Sequence, residues 1–443
     1  MFRLVFMHRV RTTIVTVLAG TFVLGVPAAS AQQLTETERR IVAAVDSRND
    51  QALALLERTV NINSGSMNFD GVREVGDVFR QEFDELGFET RWMDGEAWER
   101  AGHLIAERAG QGPRVVLIGH LDTVFELDSP FQSFEMLDDS TARGPGVIDM
   151  KGGNVIILEA LAALRAADVL DDLHVSVLLI GDEEKSGDPL SLAREALIEA
   201  ARAADVAIGF EDGDGNPRTA VIARRGWTGW TLTTSGRPAH SSQIFQPEIG
   251  TGAAYELARI LYRFYEELSG EEYLTFNPGT VLAGTDIDFD PSQDRGTAFG
   301  KSNVIAENAL ASGDLRTIDA AQLESAKERM DAIVADHLPH TSAEITFDDS
   351  YPPMGPTDGN RRLLALYDQV SRDLGLGSVE AVNPQNAGAA DISFTADHVE
   401  MAIDGLGLMG TGGHTVEETA DLRTLASQTK RAALLLYRLA HRQ

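Results

Sequence analysis

Histidine and carboxylate side chains that could hold metal ions follow apolar segments or lie in glycine-rich turns. They are His120, Asp149, Glu184, Glu211 and His414. Because the chain contains no cysteine, a metal here must be bound by His, Asp and Glu. Two divalent metals about 3.5–4 Å apart need one bridging carboxylate and at least two terminal ligands each, and these residues meet that requirement. One histidine for each metal favours Zn²⁺, with Co²⁺ or Mn²⁺ as alternative cofactors.

Two further side chains, Glu183 and Asp122, could complete a hydrolytic centre. Glu183 and Glu184 share one loop, where one carboxylate can bind a metal while the other stays free as a base. Hydrolysis needs this pair, because a metal lowers the pKa of its bound water towards about 7 and a nearby carboxylate takes the proton. Asp122 stands two residues after His120 on an extended segment, so it can accept the second ring N–H and fix the orientation of the imidazole.

Buried strands must position these residues. Residues 115–118, 173–180 and 206–210 are apolar runs typical of strands covered on both faces, and each leads into a histidine or an acidic residue. Helical segments separate them. This is a doubly wound α/β pattern, in which ligands bind beyond the carboxyl ends of the strands.

The pattern changes after residue 224. Strands are predicted at residues 227–236, 278–287, 308–318 and 343–349, with helices after the first and third of them. That β-α-β-β-α-β order is ferredoxin-like, and it interrupts the α/β pattern, which resumes after Pro352 and Pro353. We therefore predict a catalytic domain over residues 32–224 and 351–443, with an inserted α+β domain over residues 225–350.

Residues 1–31 have the composition of a secretory signal. They carry three arginines and no acidic residue, then an apolar run over residues 14–26 and the sequence Ala29-Ser30-Ala31. An uncleaved membrane anchor is the alternative, but the run is shorter than the roughly 20 residues that span a bilayer. We expect an exported protein, periplasmic or secreted, with no membrane attachment after cleavage. Losing the three arginines would change the formal charge from −30 to −33, which disfavours nucleic acid as a partner.

Five motifs occur in the order of a known family: GHLDTV, GPGVIDMKGG, GDEEKSG, FED and GTGGH, from His120 to His414. The chain resembles the M20 family of metallopeptidases, and most closely its glutamate carboxypeptidase (carboxypeptidase G2-like) branch. The resemblance implies that His120 and Glu211 bind one metal, that Glu184 and His414 bind the other, and that Asp149 bridges. It also implies that Glu183 is the general acid/base, that Asp122 supports His120, and that the Asp149–Met150 peptide is cis.

The same resemblance assigns the inserted domain as a lid that also forms a homodimer. His240, in the segment Ser235–His240, would reach the site of the partner subunit and stabilise the oxyanion. Asn303 and Arg316 match positions near the carboxylate of the substrate. Ser242 stands where the family usually has glycine, so this loop is expected to depart locally from the shape it has in the family.

The implied function is an exported di-metal, zinc-dependent carboxypeptidase that releases a C-terminal amino acid from peptides or N-acyl amino acids. A glutamate-like leaving residue is implied by the resemblance alone. An N-acyl-amino-acid amidohydrolase or dipeptidase of the same family is an alternative. A hypothesis from another class is an inactive relative that binds peptides as a dimer, but every metal-binding and catalytic residue that hydrolysis requires is present.

Overall fold

The computed structural model describes residues 33–291 and 293–441. The predicted signal segment, residues 1–31, lies outside these ranges. Among the described helices, none combines the length and the apolar composition that crossing a bilayer requires.

The first half of the chain alternates helices with strands. Its helices are α1 (Glu36–Val60), α2 (Phe69–Glu85), α3 (Gly152–Ala166), α4 (Leu190–Ala193) and α5 (Glu195–Arg202). Its strands are β1 (Glu89–Asp94), β2 (Gly102–Arg108), β3 (Arg114–His120), β4 (Glu135–Met136), β5 (Thr141–Arg143), β6 (His174–Ile180), β7 (Val206–Gly209) and β8 (Thr219–Ala220). A capping box starts α1, where Thr35 and Glu38 each accept the main-chain N–H of the other.

An inserted domain follows. Its elements are β9 (Trp227–Gly236), α6 (Ala253–Leu268), β10 (Thr275–Gly284), β11 (Asp286–Asp290), β12 (Arg295–Phe299), β13 (Asn308–Arg316), α7 (Ala320–Ala335) and β14 (Thr341–Tyr351). The antiparallel sheet has the order β10-β13-β9-β14, as in a ferredoxin-like fold. Trp230 on β9 packs with Phe264 of α6 and Met330 of α7, so both helices cover one face of this sheet.

One element of the inserted domain was not predicted. The strand expected over residues 278–287 ends at Gly284, and the hairpin β11–β12 follows before β13. A side chain at Gly284 would lie 2.5 Å from the carbonyl oxygen of Phe299, so the returning strand β12 passes too close for one. The alternating sequence of residues 286–290 has the period of a strand, but it does not show where the chain turns back.

The chain then returns to the larger domain. The remaining elements are α8 (Asp358–Asp373), β15 (Glu380–Ala381), β16 (Met401–Ile403), β17 (Gly410–Thr411), β18 (Thr419–Asp421) and α9 (Arg423–His441). The two connections between the domains pair with each other, because Arg224 and Met354 exchange both main-chain hydrogen bonds at 2.9 Å. The insertion is therefore attached through a short two-stranded hinge.

A six-stranded mixed sheet of order β1-β2-β6-β3-β7-β16 organises the larger domain. β3 is parallel to β6 and β7, and β16 is parallel to β7, whereas β1 and β2 are antiparallel additions at one edge. The four parallel strands end at the same edge of the sheet, which is where an α/β fold places its site. The predicted fold class, a doubly wound mixed sheet with an inserted ferredoxin-like domain, is confirmed.

Strand β3 shows why the strands of this sheet are apolar without interruption. Val115 and Leu117 face a core formed with α1, α3 and α9, whereas Val116 and Ile118 face a second core that includes Leu197 of α5. Successive side chains point to opposite faces, and both faces are covered. Polar groups can therefore gather only where the strands end.

A small antiparallel sheet of order β17-β18-β5-β4 lies in the same domain and was not predicted. Its strands are only two or three residues long, which leaves little pattern to recognise. Pairing of β18 with β5 brings the loop that carries His414 beside the turn that leads to Asp149. The small sheet thus joins two parts of the chain that are far apart in sequence.

Candidate metal centre

His120 is the last residue of β3 and is 1% exposed. Its Nδ1 donates to the main-chain carbonyl of Asp122 at 3.0 Å and lies 3.4 Å from the Asp122 carboxylate. Because Nδ1 carries the proton in the neutral ring, Nε2 has the free lone pair that metal ligation requires. Nε2 points towards Asp149.

Asp149 lies between the two histidines. Its Oδ1 is 3.0 Å from Nε2 of His120, and its Oδ2 is 2.9 Å from Nε2 of His414. The turn that presents it contains Gly146, whose φ of 73° suits glycine, and the expected cis peptide to Met150 is present. One carboxylate oxygen thus faces each histidine, which is the geometry of a bridging ligand.

Glu211 and Glu184 divide between the two sides of Asp149. Oε1 of Glu211, just beyond β7, is 3.7 Å from Nε2 of His120. Oε2 of Glu184, in the loop after β6, is 3.1 Å from Nε2 of His414. The five predicted ligands therefore come together as two groups that share Asp149, and ligand atoms of His120, Asp149 and Glu184 all lie within 4.8 Å of one another.

The charges of this cluster are those of a cation site. Burial raises the pKa of Glu184, and it raises that of Glu211 well above its usual value, because buried carboxylates lose their hydration. Hydrogen bonds to Asp149 and Glu184 raise the pKa of His414 to about 11, so a proton would sit between two carboxylates. Divalent metals displace such protons on binding, and two imidazoles with three carboxylates form a donor set that fits two of them.

Comparison with known families agrees with this geometry. The model of the family described as Peptidase family M20/M25/M40 matches residues 116–440. The chain belongs to this family. M20 enzymes are dinuclear metal peptidases, and the protein is accordingly a hydrolase of the metallopeptidase class.

Individual relatives cover nearly the whole chain. Carboxypeptidase G2 from Pseudomonas sp. (strain RS-16) is 24% identical over 433 residues, which are 96% of this chain and 97% of the relative. Succinyl-diaminopimelate desuccinylase from Acidiphilium cryptum (strain JF-5) is 26% identical over 366 residues, 79% of this chain and 89% of the relative. The structure of aminopeptidase PepT from Bacillus cereus ATCC 10987 aligns with a TM-score of 0.69 at 16% identity, covering 88% of this chain and 99% of PepT, and shows the shared M20 fold.

The buried carboxylate of Asp122 positions several residues of the candidate metal centre through hydrogen bonds. Its Oδ1 accepts the N–H of Glu183 at 3.0 Å, and its Oδ2 accepts the N–H of Glu184 at 3.1 Å and the hydroxyl of Ser66 at 2.6 Å. Burial raises its pKa, but the hydrogen bonds from His120 and Ser66 outweigh burial and hold the pKa below its usual value. An ionised Asp122 therefore fixes both the ring of His120 and the loop after β6.

Glu183 shares this loop with Glu184 but does not face the histidines in the same way. Its main chain is fixed by Asp122, and its side chain is half-buried. Burial raises the pKa of Glu183 well above its usual value, and the negative charges of Asp391 and Glu184 act in the same direction. A carboxyl group with a raised pKa, beside the two groups of candidate metal ligands, is suited to act as a general base.

Three predicted site residues lie on the inserted domain. His240 is exposed, and its Nδ1 accepts the main-chain N–H of Ser242 at 3.3 Å, so the neutral ring carries its proton on Nε2. The carbonyl oxygen of Asn303 accepts the N–H of Ser241 at 2.9 Å, which places Asn303 beside His240. Arg316 is at the far end of β13, about 25 Å along the strand, and its Nε donates to Asp314 at 2.8 Å.

One supporting residue could not be identified from the sequence. The carboxylate of Glu418 is fully buried and accepts the N–H groups of Gly146, Ile148 and Asp149 at 2.9–3.2 Å. It therefore holds the turn that presents the bridging carboxylate. Its only signal is an acidic residue four positions after His414, and the exposed Glu417 beside it gives the same signal.

Proposed function

We propose that this M20 peptidase is an exported, zinc-dependent carboxypeptidase that hydrolyses the amide bond of a C-terminal residue in peptides or N-acyl amino acids. The arrangement of five ligands in two groups around Asp149, with Glu183 adjacent and not engaged with either histidine, carries the proposal. His120 and Glu211 would hold one metal, and Glu184 and His414 the other. When bound, the metals polarise the scissile carbonyl and lower the pKa of water.

The side chains of the protein have distinct tasks in this reaction. Glu183 takes a proton from the attacking water and returns it to the leaving amine, which the raised pKa of its carboxyl group supports. Asp122 keeps the proton of His120 on Nδ1 and fixes the position of Glu183 through its N–H. Nε2–H of His240 is a donor suited to the oxyanion.

The separation of the inserted-domain residues supports a homodimer. His240 and Asn303 lie together, whereas Arg316 is at the opposite end of the sheet, so one chain cannot bring all three to one substrate. We therefore assign Arg316 to the site of its own chain, and His240 with Asn303 to the site of the partner. The exposed tyrosines Tyr255 and Tyr262, seven residues apart on α6, offer a surface for that contact.

The substrate is proposed from the relatives and from Arg316. A relative named carboxypeptidase G2 covers almost the whole chain, which supports release of a C-terminal residue. That this residue is glutamate-like is proposed from the resemblance of the motifs to the glutamate carboxypeptidase branch. Arg316 can bind a carboxylate through its terminal nitrogens while its Nε stays on Asp314. Amide hydrolysis of N-acyl amino acids is the alternative, supported by the similarity to a desuccinylase. Export is proposed from residues 1–31 and would be checked by N-terminal sequencing of secreted protein.

The experiment is hydrolysis of N-acyl amino acids and dipeptides that differ in the C-terminal residue, after loading with Zn²⁺, Co²⁺ or Mn²⁺. Glu183→Gln should bind two metals as wild type does but lose about 10²–10⁴-fold in kcat. Glu199→Gln, an exposed glutamate on α5, is the matched control and should behave as wild type. Two tightly bound metals without cleavage of any substrate would reject the carboxypeptidase and favour a peptide-binding protein.

A further inference from the structure

Tyr351, the last residue of β14, reaches from the inserted domain into the catalytic domain. Its hydroxyl donates to the main-chain carbonyl of Glu183 at 3.3 Å and accepts from a terminal nitrogen of Arg194 at 2.8 Å. Its ring packs edge-on against Phe394, with 5.0 Å between the ring centroids. A residue of the hinge therefore contacts the loop that carries the proposed base and a metal ligand.

The contact belongs to a fully buried ion cluster. Arg194 has no exposed surface, and it donates to the carboxylates of Asp182 and Asp391, each at 2.7 Å. Asp182 immediately precedes Glu183, so the cluster holds the loop that carries Glu183 on the side opposite Asp122. Because Arg194 can only donate, it occupies a lone pair of the Tyr351 hydroxyl. The hydroxyl proton is then directed to the loop after β6, where the carbonyl oxygen of Glu183 lies at 3.3 Å and the Ser186 hydroxyl at 3.0 Å.

The other connection of the hinge holds the other half of the metal centre. Nε of Arg224 donates to Oδ2 of Asp404 at 2.8 Å, and Oδ1 of Asp404 accepts the N–H of Glu211 at 3.3 Å. The fit is tight, since a side chain at Gly209 would lie 2.2 Å from the Asp404 carboxylate. Glu211 is thus fixed, through Asp404, to the connection that enters the inserted domain.

We propose that Tyr351 and Arg224 are positioning residues for the metal centre. Tyr351 holds the Glu183–Glu184 loop from the outgoing connection, and Arg224 holds Glu211 from the incoming one. Because the two connections are hydrogen-bonded to each other at Arg224 and Met354, the hinge sets the spacing between the two halves of the site. This inference rests on the proposed two-metal function.

The test compares Tyr351→Phe with Tyr367→Phe. Tyr367 is a buried tyrosine of α8 that also lies beside an arginine, and its hydroxyl is 3.4 Å from Gln428 of α9, so both variants lose the same group. For metal-loaded Tyr351→Phe we expect one of two metals to pass to a chelator about tenfold faster, and kcat to fall about tenfold with KM within about twofold of wild type. Tyr367→Phe should change neither quantity.

Arg224→Lys tests the proposed role of Arg224 in positioning Glu211. It keeps the charge but loses the planar fork that meets Asp404 and the carbonyl of Gly388, so it should release the other metal faster. Equal metal release and equal kcat in Tyr351→Phe and Tyr367→Phe would overturn the inference, even if both variants melt at a lower temperature. If Tyr351→Phe does not fold, the result for Arg224→Lys decides. Failure of the wild type to bind two metals would instead reject the proposed function.

Discussion

The carboxylate of Glu418 accepts the main-chain N–H of Asp149 at 3.2 Å, and it is the buried acceptor for three main-chain N–H groups of the turn that presents Asp149. The amide of Glu418→Gln would turn an NH₂ group towards one of these donors. We expect metal affinity to fall about 10–100-fold, because residues that orient a ligand have effects of that size. Metal titration against a competing chelator measures it. The exposed neighbour Glu417→Gln is the control, and equal affinities in the two variants would contradict this role of Glu418.

Asp122→Asn should be more harmful than its small size suggests. Both oxygens of Asp122 accept main-chain N–H groups, from Glu183 and Glu184, so an amide NH₂ must face a donor on one side. We expect kcat to fall about 10–100-fold. Ser66→Ala removes one partner of the same carboxylate and should cost less. Steady-state kinetics of both variants beside wild type would show the order, and the reverse order would reject the argument.

His103 should make stability depend on pH. Gly181 donates to its Nδ1 at 3.1 Å and its Nε2 donates to Ala193 at 2.7 Å, so the buried ring is neutral. Burial lowers its pKa below the ordinary value of 6.5, so the unfolded chain binds the proton more readily. The stability that the neutral ring of His103 gives the folded protein is therefore fully present above pH 6.5. As the pH falls below 6.5, the free energy of unfolding decreases by at most about 1.4 kcal/mol per pH unit.

Urea unfolding of the metal-loaded protein measures this effect between about pH 7.5 and 5, the range in which histidine titrates. The difference in the free energy of unfolding between wild type and His103→Gln should shrink as pH falls, because the variant lacks the titrating ring. His337→Gln, at an exposed histidine, should leave the difference constant. A constant difference for His103→Gln would show that this ring does not titrate on unfolding.

A mixture of two inactive variants tests whether His240 acts across subunits. Glu183→Gln removes the base from one site, and His240→Ala removes the oxyanion donor that serves the other subunit. In a mixed dimer, one site has both groups intact, so exchange at equal concentrations should restore about a quarter of wild-type activity. Activity that stays at the level of the separate variants, with mixed dimers present, would place His240 in its own site or in none.

The strands and their exits could be predicted because burial on both faces leaves a plain signal. The apolar run before His120 corresponds to β3, and the acidic groups after β6 and β7 lie at the predicted sheet edge. The supporting residues could not be predicted in this way. Glu418, Arg194 and Asp404 are polar residues with partners that lie 157–272 residues away, and no local period marks them.

Short and exposed elements were missed for a related reason. The strands of the small sheet gain their definition from pairing with distant segments, and the hairpin β11–β12 depends on a close approach at Gly284. Likewise, the sequence order of His240, Asn303 and Arg316 does not reveal that two of them lie together and the third lies apart. Register across a sheet decides that, and it is a property of the assembled domain.

The inserted domain separates His414 from the other four candidate ligands in the sequence, and therefore in the order in which the ribosome synthesises them. His120, Asp149, Glu184 and Glu211 all precede β9, whereas His414 follows β14, and so does β16 at the sheet edge. A nascent chain thus carries four of the five ligands before the insertion is made, but His414, together with the supporting residues Asp404 and Glu418, follows only after roughly 200 further residues, or about 10–40 s of synthesis. The inserted domain, whose core is formed by its own residues, can fold during that interval. Occupancy of the second metal position would therefore report that translation and folding of the whole chain have finished.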